Sequence, residues 1–136
     1  MPKGVTTKND VLKMVLWGTD PAWRANANGY LSLHVADPSA GTQTTSPATY
    51  TGNNRAAITR DSDGWDIVTD TAQNKNQVQF TACAGGTNTI THVAYGELSG
   101  VGNGQIYYCG ALTDDLAVSN LIQPQFATQA LTIQEG

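Results

Sequence analysis

Tyr30-Leu31-Ser32-Leu33-His34-Val35 alternates apolar and polar positions, which predicts a strand with Leu31, Leu33 and Val35 on one face and Ser32 and His34 on the other. Asp37-Pro38 ends it, and the small polar residues from Ser39 to Asn54 read as a long loop or edge segment anchored by Tyr50. Two β-prone runs, Arg55 to Arg60 and Trp65 to Thr69, flank Asp61-Ser62-Asp63-Gly64, and an Asp-Gly pair in that setting predicts a hairpin. Further strands are expected over Asn76 to Thr81, Thr89 to Glu97, Gln105 to Thr113, Leu116 to Ser119, Pro124 to Ala127 and Ala130 to Gln134. Gly85-Gly86 and the tract from Gly100 to Gly104 serve as turns between them. One short helix is expected, capped at Asn9 or Asp10, with Val11, Leu12, Val15 and Leu16 on its packing side and Gly18 as its stop. A strand competes for the same residues. Many short strands with frequent turns predict an all-β chain, an antiparallel β-sandwich of jelly-roll type with an N-terminal arm and at most one short helix. The expected organisation is an arm over residues 1–10 followed by one β-sandwich domain over residues 11–136.

Composition sharpens that picture. The chain has 136 residues, a length that suits one domain able to bury a real core. Charged residues make up only 13%, about half the usual quarter, and Thr, Ser, Asn, Gln and Gly take their place. Disorder pairs low hydrophobicity with high net charge, and the net charge here is only −4. No run of Lys or Arg exists to contact phosphates or an anionic bilayer surface, so neither nucleic acid nor membrane is expected as a partner. No apolar stretch approaches the roughly 20 residues that span a bilayer. No signal-peptide core follows Lys3, so synthesis in a cytoplasm without export is the expectation. In that compartment Cys83 and Cys109 are expected as buried free thiols, with a bridge between them as the alternative.

Each group of reactive residue types has a structural explanation. His34 and His92 sit in strand patterns without a ligand at metal-binding spacing, and no Gly-x-Ser-x-Gly turn supplies a nucleophile. Asp61, Asp63 and Asp66 resemble the start of a calcium loop, but Ala72 stands where the distal Glu would fall. Asp114 and Asp115 are adjacent, so on an extended chain their carboxylates point apart. Trp17, Trp23 and Trp65, with Tyr30, Tyr50, Tyr95, Tyr107 and Tyr108, suit core anchors, with a sugar-binding cleft as the competing reading. No enzyme, metal or cofactor is expected.

Two stretches carry a resemblance. Trp23 to Arg60, WRANANGYLSLHVADPSAGTQTTSPATYTGNNRAAITR, and Thr91 to Gly136, with its Thr-His-Val strand, Tyr-Tyr-x-Gly-Ala-Leu and Leu-Ala-Val-Ser-Asn-x-Ile-x-Pro-x-Phe, resemble small tailed-bacteriophage virion proteins. Members of that group carry both capsid cement (decoration) and tail-fibre labels. The chain has neither heptads nor repeats for a long shaft, which favours a cement protein. The resemblance therefore implies a protein on the outer capsid surface of a virion that bridges subunits of the major capsid protein and associates with itself as a homodimer or trimer. The alternative is a tail-fibre or tail-tip component that binds host surface glycan. Interface contacts are expected from the arm, at Lys3, Val5 and Lys8, and from the long loop, at Tyr50, Asn53, Asn54 and Arg55.

Overall fold

A computed structural model describes residues 1–135. It holds one α-helix, α1 (Val5–Trp17), a 3-10 turn at Ala22–Ala25, and nine strands. The strands are β1 (Asn28–His34), β2 (Ala56–Thr59), β3 (Trp65–Val68), β4 (Thr71–Asn74), β5 (Val78–Gln79), β6 (Asn88–Gly96), β7 (Ile106–Val118), β8 (Gln125–Phe126) and β9 (Thr132–Gln134). They form three sheets, ordered β2-β1-β6-β7, β3-β4-β9 and β5-β8. Every strand pairing is antiparallel, in agreement with the all-β class read from the sequence.

The four-stranded sheet explains the alternation around Leu31. Leu31 and Leu33 enter the main core together with Val93, Tyr95, Ile58 and Phe80. Ser32 and His34, one residue out of step, lie on the opposite face and are buried as well. That second face is covered by α1 over β7 and by the 35–47 loop, which returns to β1 through Val35 N–H to Ser46 O (2.9 Å) and Ala48 N–H to Leu33 O (2.9 Å). Gly29 is required here, because a Cβ would stand 2.2 Å from the Tyr95 ring. A row of aromatics links the two larger sheets: Trp23 to Tyr107 (5.0 Å between centroids), Tyr107 to Tyr95 (5.9 Å) and Tyr95 to Trp65 (5.2 Å). The Arg60 guanidinium stacks over Trp23 and Tyr107 and donates to the Trp23 and Asn26 carbonyls. Asn74 is fully buried and ties three segments together. Its amide donates to Asn76 O (2.8 Å) and Ala127 O (2.9 Å), and its side-chain oxygen accepts from Leu131 N–H (2.8 Å).

Four expectations are corrected. The helix begins at Val5, not near Asp10, and residues 1–4 are docked: Lys3 bridges to Tyr108, Gly4 N–H reaches Tyr107 O and Cys109 N–H reaches Pro2 O. The expected free arm is thus an added edge on β7 followed by a helix. The hairpin expected across Asp61–Gly64 does not form, since β2 pairs with β1 while β3 pairs with β4. Asp61 instead closes a local turn, its carboxylate accepting from Asp63 N–H (2.9 Å) and Gly64 N–H (3.2 Å), and the chain passes from one sheet to another. The actual hairpin is β3-β4, which turns through Thr69 at φ 59°. Finally, Gln105–Thr113 and Leu116–Ser119 belong to one strand, β7. Its register against β6 shifts between Ile90↔Leu116 and His92↔Ala111, so Asp114 and Asp115 lie in a bulge rather than at a strand end.

Candidate functional site

The packing of α1 decides what this molecule presents to partners. Its inward side is held by polar groups. Thr7 Oγ1 donates to Ile106 O (2.7 Å) and accepts from Gln105 Nε2 (2.9 Å), which also donates to Asp10 Oδ2 (2.9 Å). Trp23 Nε1 donates to the same carboxylate oxygen at 2.8 Å. Thr7 is the buried residue of the helix, with Asp10, Val11 and Met14 half-buried beside it. Gly4 permits the close approach, because a Cβ there would meet Ile106 O at 2.3 Å. Leu12, Val15 and Leu16, expected as the packing side, face outward instead and are 56%, 70% and 72% exposed. Val5 and Trp17 join them at 54% and 74%.

The residues expected at an interface fall into two places. Lys3 and Lys8 line a groove of about 480 Å³ with Met1, Val11, Leu12 and Tyr108. Lys3 pairs with Glu135 across its end. Burial, and after it the Glu135 carboxylate, push the Tyr108 phenol up to about 12. Val5 opens the exposed helix face. Asn53, Asn54 and Arg55 line a separate cleft of about 350 Å³ with Gln43, Thr44 and Val101. Arg55 is engaged there, donating to Leu98 O (3.0 Å) and Gly102 O (2.9 Å), so it pins the 97–104 loop. Asn53 donates to Ala48 O (2.8 Å) and Asn54 accepts from Thr81 N–H (2.8 Å). Tyr50 is a correction: it is buried in the core, where desolvation raises its phenol, and its ring is not offered to a partner.

Gln43, which the sequence reading passed over, is fully buried behind this cleft. Its side-chain oxygen accepts from Leu98 N–H at 2.9 Å. A buried Gln within a Thr/Ser-rich loop carries no signal of its own in the sequence. A third cleft, of about 690 Å³, lies between the start of β3 and β9. Arg60, Asp61, Asp66 and Lys75 surround it, and Trp65, Tyr95 and Tyr108 form part of its wall. Trp65 and Tyr95 are core residues, with Trp65 Nε1 donating to the Tyr95 hydroxyl (3.4 Å), which in turn donates to Ile58 O (2.9 Å).

Ser32 and His34 are of the types that make a nucleophile and its base, with Oγ to Nε2 at 2.8 Å. His34 Nδ1 lies 2.8 Å from the Thr45 carbonyl, which can only accept, so Nδ1 carries the proton and Nε2 receives the Ser32 hydroxyl. Both side chains are enclosed, and the pair fastens the 35–47 loop to β1. Burial is the main cause that lowers the His34 pKa, with the nearby Arg55 charge acting in the same direction. Cys83 and Cys109 are free and buried, and burial raises the Cys109 thiol. Among the described residues no three His, Cys, Asp or Glu side chains converge as a metal cage, and no helix is long and apolar enough to cross a membrane.

The chain belongs to the family described as podophage GP4 fiber I protein gp80, whose family model matches residues 4–134. None of the curated proteins matches the chain significantly. The family places it among phage virion structural proteins, the class that the two sequence stretches resemble.

Proposed function

We propose that this chain is a structural module of a podophage fibre, held in place by protein surfaces and used for assembly. The family match over residues 4–134 carries this reading. It favours the fibre alternative over the capsid-cement role that the sequence resemblance put first. The helix face and the groove beside it supply apolar surface for assembly contacts, while the Ser32–His34 pair is committed to holding a loop.

Decoration of the shell, with the major capsid protein as partner, is the second reading. The compactness of the chain favours it, since one core gathers residues from Leu31 to Ile133 and the sequence has no shaft-like repeat. Gold-labelled antibody against this chain on intact virions separates the two. Label at the tail supports the fibre module; label over the capsid facets replaces it with decoration; particles without label remove both.

Binding of host surface glycan belongs to the fibre reading only through the Trp65–Tyr108 cleft. Half of the eight aromatic residues that suggested it are core: Trp65, Tyr95, Tyr50 and Tyr107 are buried, Trp23, Tyr30 and Tyr108 are half-buried, and Trp17 is exposed on α1, away from this cleft. Asp66 and Lys75 are the groups at the cleft that would bond sugar hydroxyls. Calorimetric titration of the purified chain with host polysaccharide tests this, and heat that vanishes in an Asp66→Ala, Lys75→Ala double variant would support it. No heat from the unaltered chain removes glycan from the reading.

A further inference from the structure

We infer that the cleft at Arg55 is a receptor for an acidic side chain, an aspartate or glutamate carried by a neighbouring protein. Arg55 is the one charged residue that lines this cleft, and no Asp or Glu stands there with it. It belongs to neither ion pair of the described residues, Lys3–Glu135 and Arg24–Asp20. Its acceptors are all neutral. Nη1 donates to Leu98 O (3.0 Å) and Gln43 Oε1 (3.4 Å), and Nη2 donates to Gly102 O (2.9 Å). A guanidinium carries five N–H donors, so Nε–H and one Nη2 hydrogen are left without an acceptor among the described residues. Burial pulls the group below its ordinary pKa, and no nearby carboxylate opposes that shift. A half-buried cation with spare donors and no counter-charge is stabilised most by a ligand that brings the missing anion.

The backbone supplies a further donor. Strand β2 pairs with β1 as far as Leu31↔Ala56, and the 46–48 segment takes over where Ala48 N–H donates to Leu33 O (2.9 Å). The N–H and C=O of one strand residue point to the same edge, so Leu33 N–H faces this break in the ladder. It has no acceptor among the described residues. Leu33 and Arg55 both line the cleft, which measures about 350 Å³. Pro47 and Ala48 give it an apolar wall, and Val101, 95% exposed, lines it as well. One anion site beside uncovered apolar surface fits an acidic residue flanked by apolar ones on an extended peptide. An acidic sugar offers the same carboxylate but sets hydroxyls against that apolar wall. The inference stands whether the module sits at the tail or on the head.

Heteronuclear NMR of the full isotope-labelled chain, titrated with the capped tripeptides Leu-Glu-Leu and Leu-Gln-Leu, tests it. The Glu peptide is expected to shift the Leu33 amide and Arg55 Nε–H signals and to saturate at about millimolar concentration, with the Gln peptide at least about tenfold weaker. Raising the salt from about 0.05 M to about 0.5 M should weaken the Glu peptide's binding. Asn54→Asp keeps an oxygen for Thr81 N–H and sets a negative charge in the same cleft. That variant should lose the binding by at least about tenfold while its amide spectrum keeps the parent's dispersion. Equal shifts from both peptides overturn the inference, as do no shifts from either or an Asn54→Asp variant that binds like the parent. Glucuronate that displaces the Glu peptide at equal concentration overturns the protein source and assigns the cleft to an acidic sugar.

Discussion

Strand β1 and helix α1 have similarly apolar sequences and opposite fates. In β1, Leu31 and Leu33 are fully buried on one face, and the polar Ser32 and His34 are buried on the other by pairing with each other and with Thr45 O. In α1 Val5, Leu12, Val15, Leu16 and Trp17 stand in water, while a threonine and an aspartate hold the helix to the sheet. Apolar pattern tells where a side chain can be buried, not by which molecule. The strand's pattern is satisfied within the chain. The helix's pattern is left for something outside it.

Substitutions can break each half of this contrast in turn. Leu31→Ala should have the largest effect, a loss of about 2–5 kcal/mol in chemical denaturation, because it opens a cavity in the centre of the sheet. Thr7→Val should cost about 1–3 kcal/mol, since it removes the hydroxyl that donates to Ile106 O and leaves Gln105 Nε2 with Asp10 as its remaining acceptor. Its helical dichroism should fall along with stability.

A pH titration addresses the polar face of β1. Burial lowers the His34 pKa from its ordinary 6.5, so the fold favours the neutral ring. As pH falls through 6.5 the unfolded chain takes up a proton that the folded chain resists. Stability is therefore full above that pH and declines below it, down to the lowered folded value. The thermal midpoint should be lower at about pH 5 than at about pH 7.5, and His34→Gln should flatten that part of the profile. The smallest effect belongs to the outer side of α1, where Leu16→Ser should change the stability of the isolated monomer by no more than about 0.5 kcal/mol. A Leu16 substitution as costly as the one at Leu31 would erase the distinction between the two elements.

The same contrast explains what could be read from the sequence. The alternation at Tyr30–Val35 and the run at Thr89–Glu97 locate β1 and β6 to within two residues, because strand period and flanking turns agree there. The helix start was hidden because its cap is Gly4, which makes no side-chain capping bond and whose role is a close approach to Ile106. The Asp61–Gly64 turn carried a hairpin's composition but joins two sheets, while the true hairpin turns through Thr69-Asp70 without glycine. Lys3, Val5 and Lys8 read as an arm, whereas the helix begins at Val5 and Lys3 and Lys8 line the groove beside it; Tyr50 lies inside because an aromatic in a polar loop can as readily anchor it from the core. The outward stripe was legible as apolar and illegible as outward. Amphipathic reasoning assigns the apolar side to the interior of the same chain, and only the Thr7–Ile106 and Asp10–Trp23 bonds reverse it.

Trp17 offers the most direct test, since it lies at the end of the stripe and is 74% exposed in the single chain. Trp65 is buried and Trp23 half-buried, so the readily quenched part of the fluorescence reports on Trp17 and the outer face of α1. Acrylamide should quench it in dilute protein nearly as fully as a free indole, because the fold leaves the ring in solvent. Quenching far below that of a free indole would mean that the chain itself covers this face, and would contradict the account.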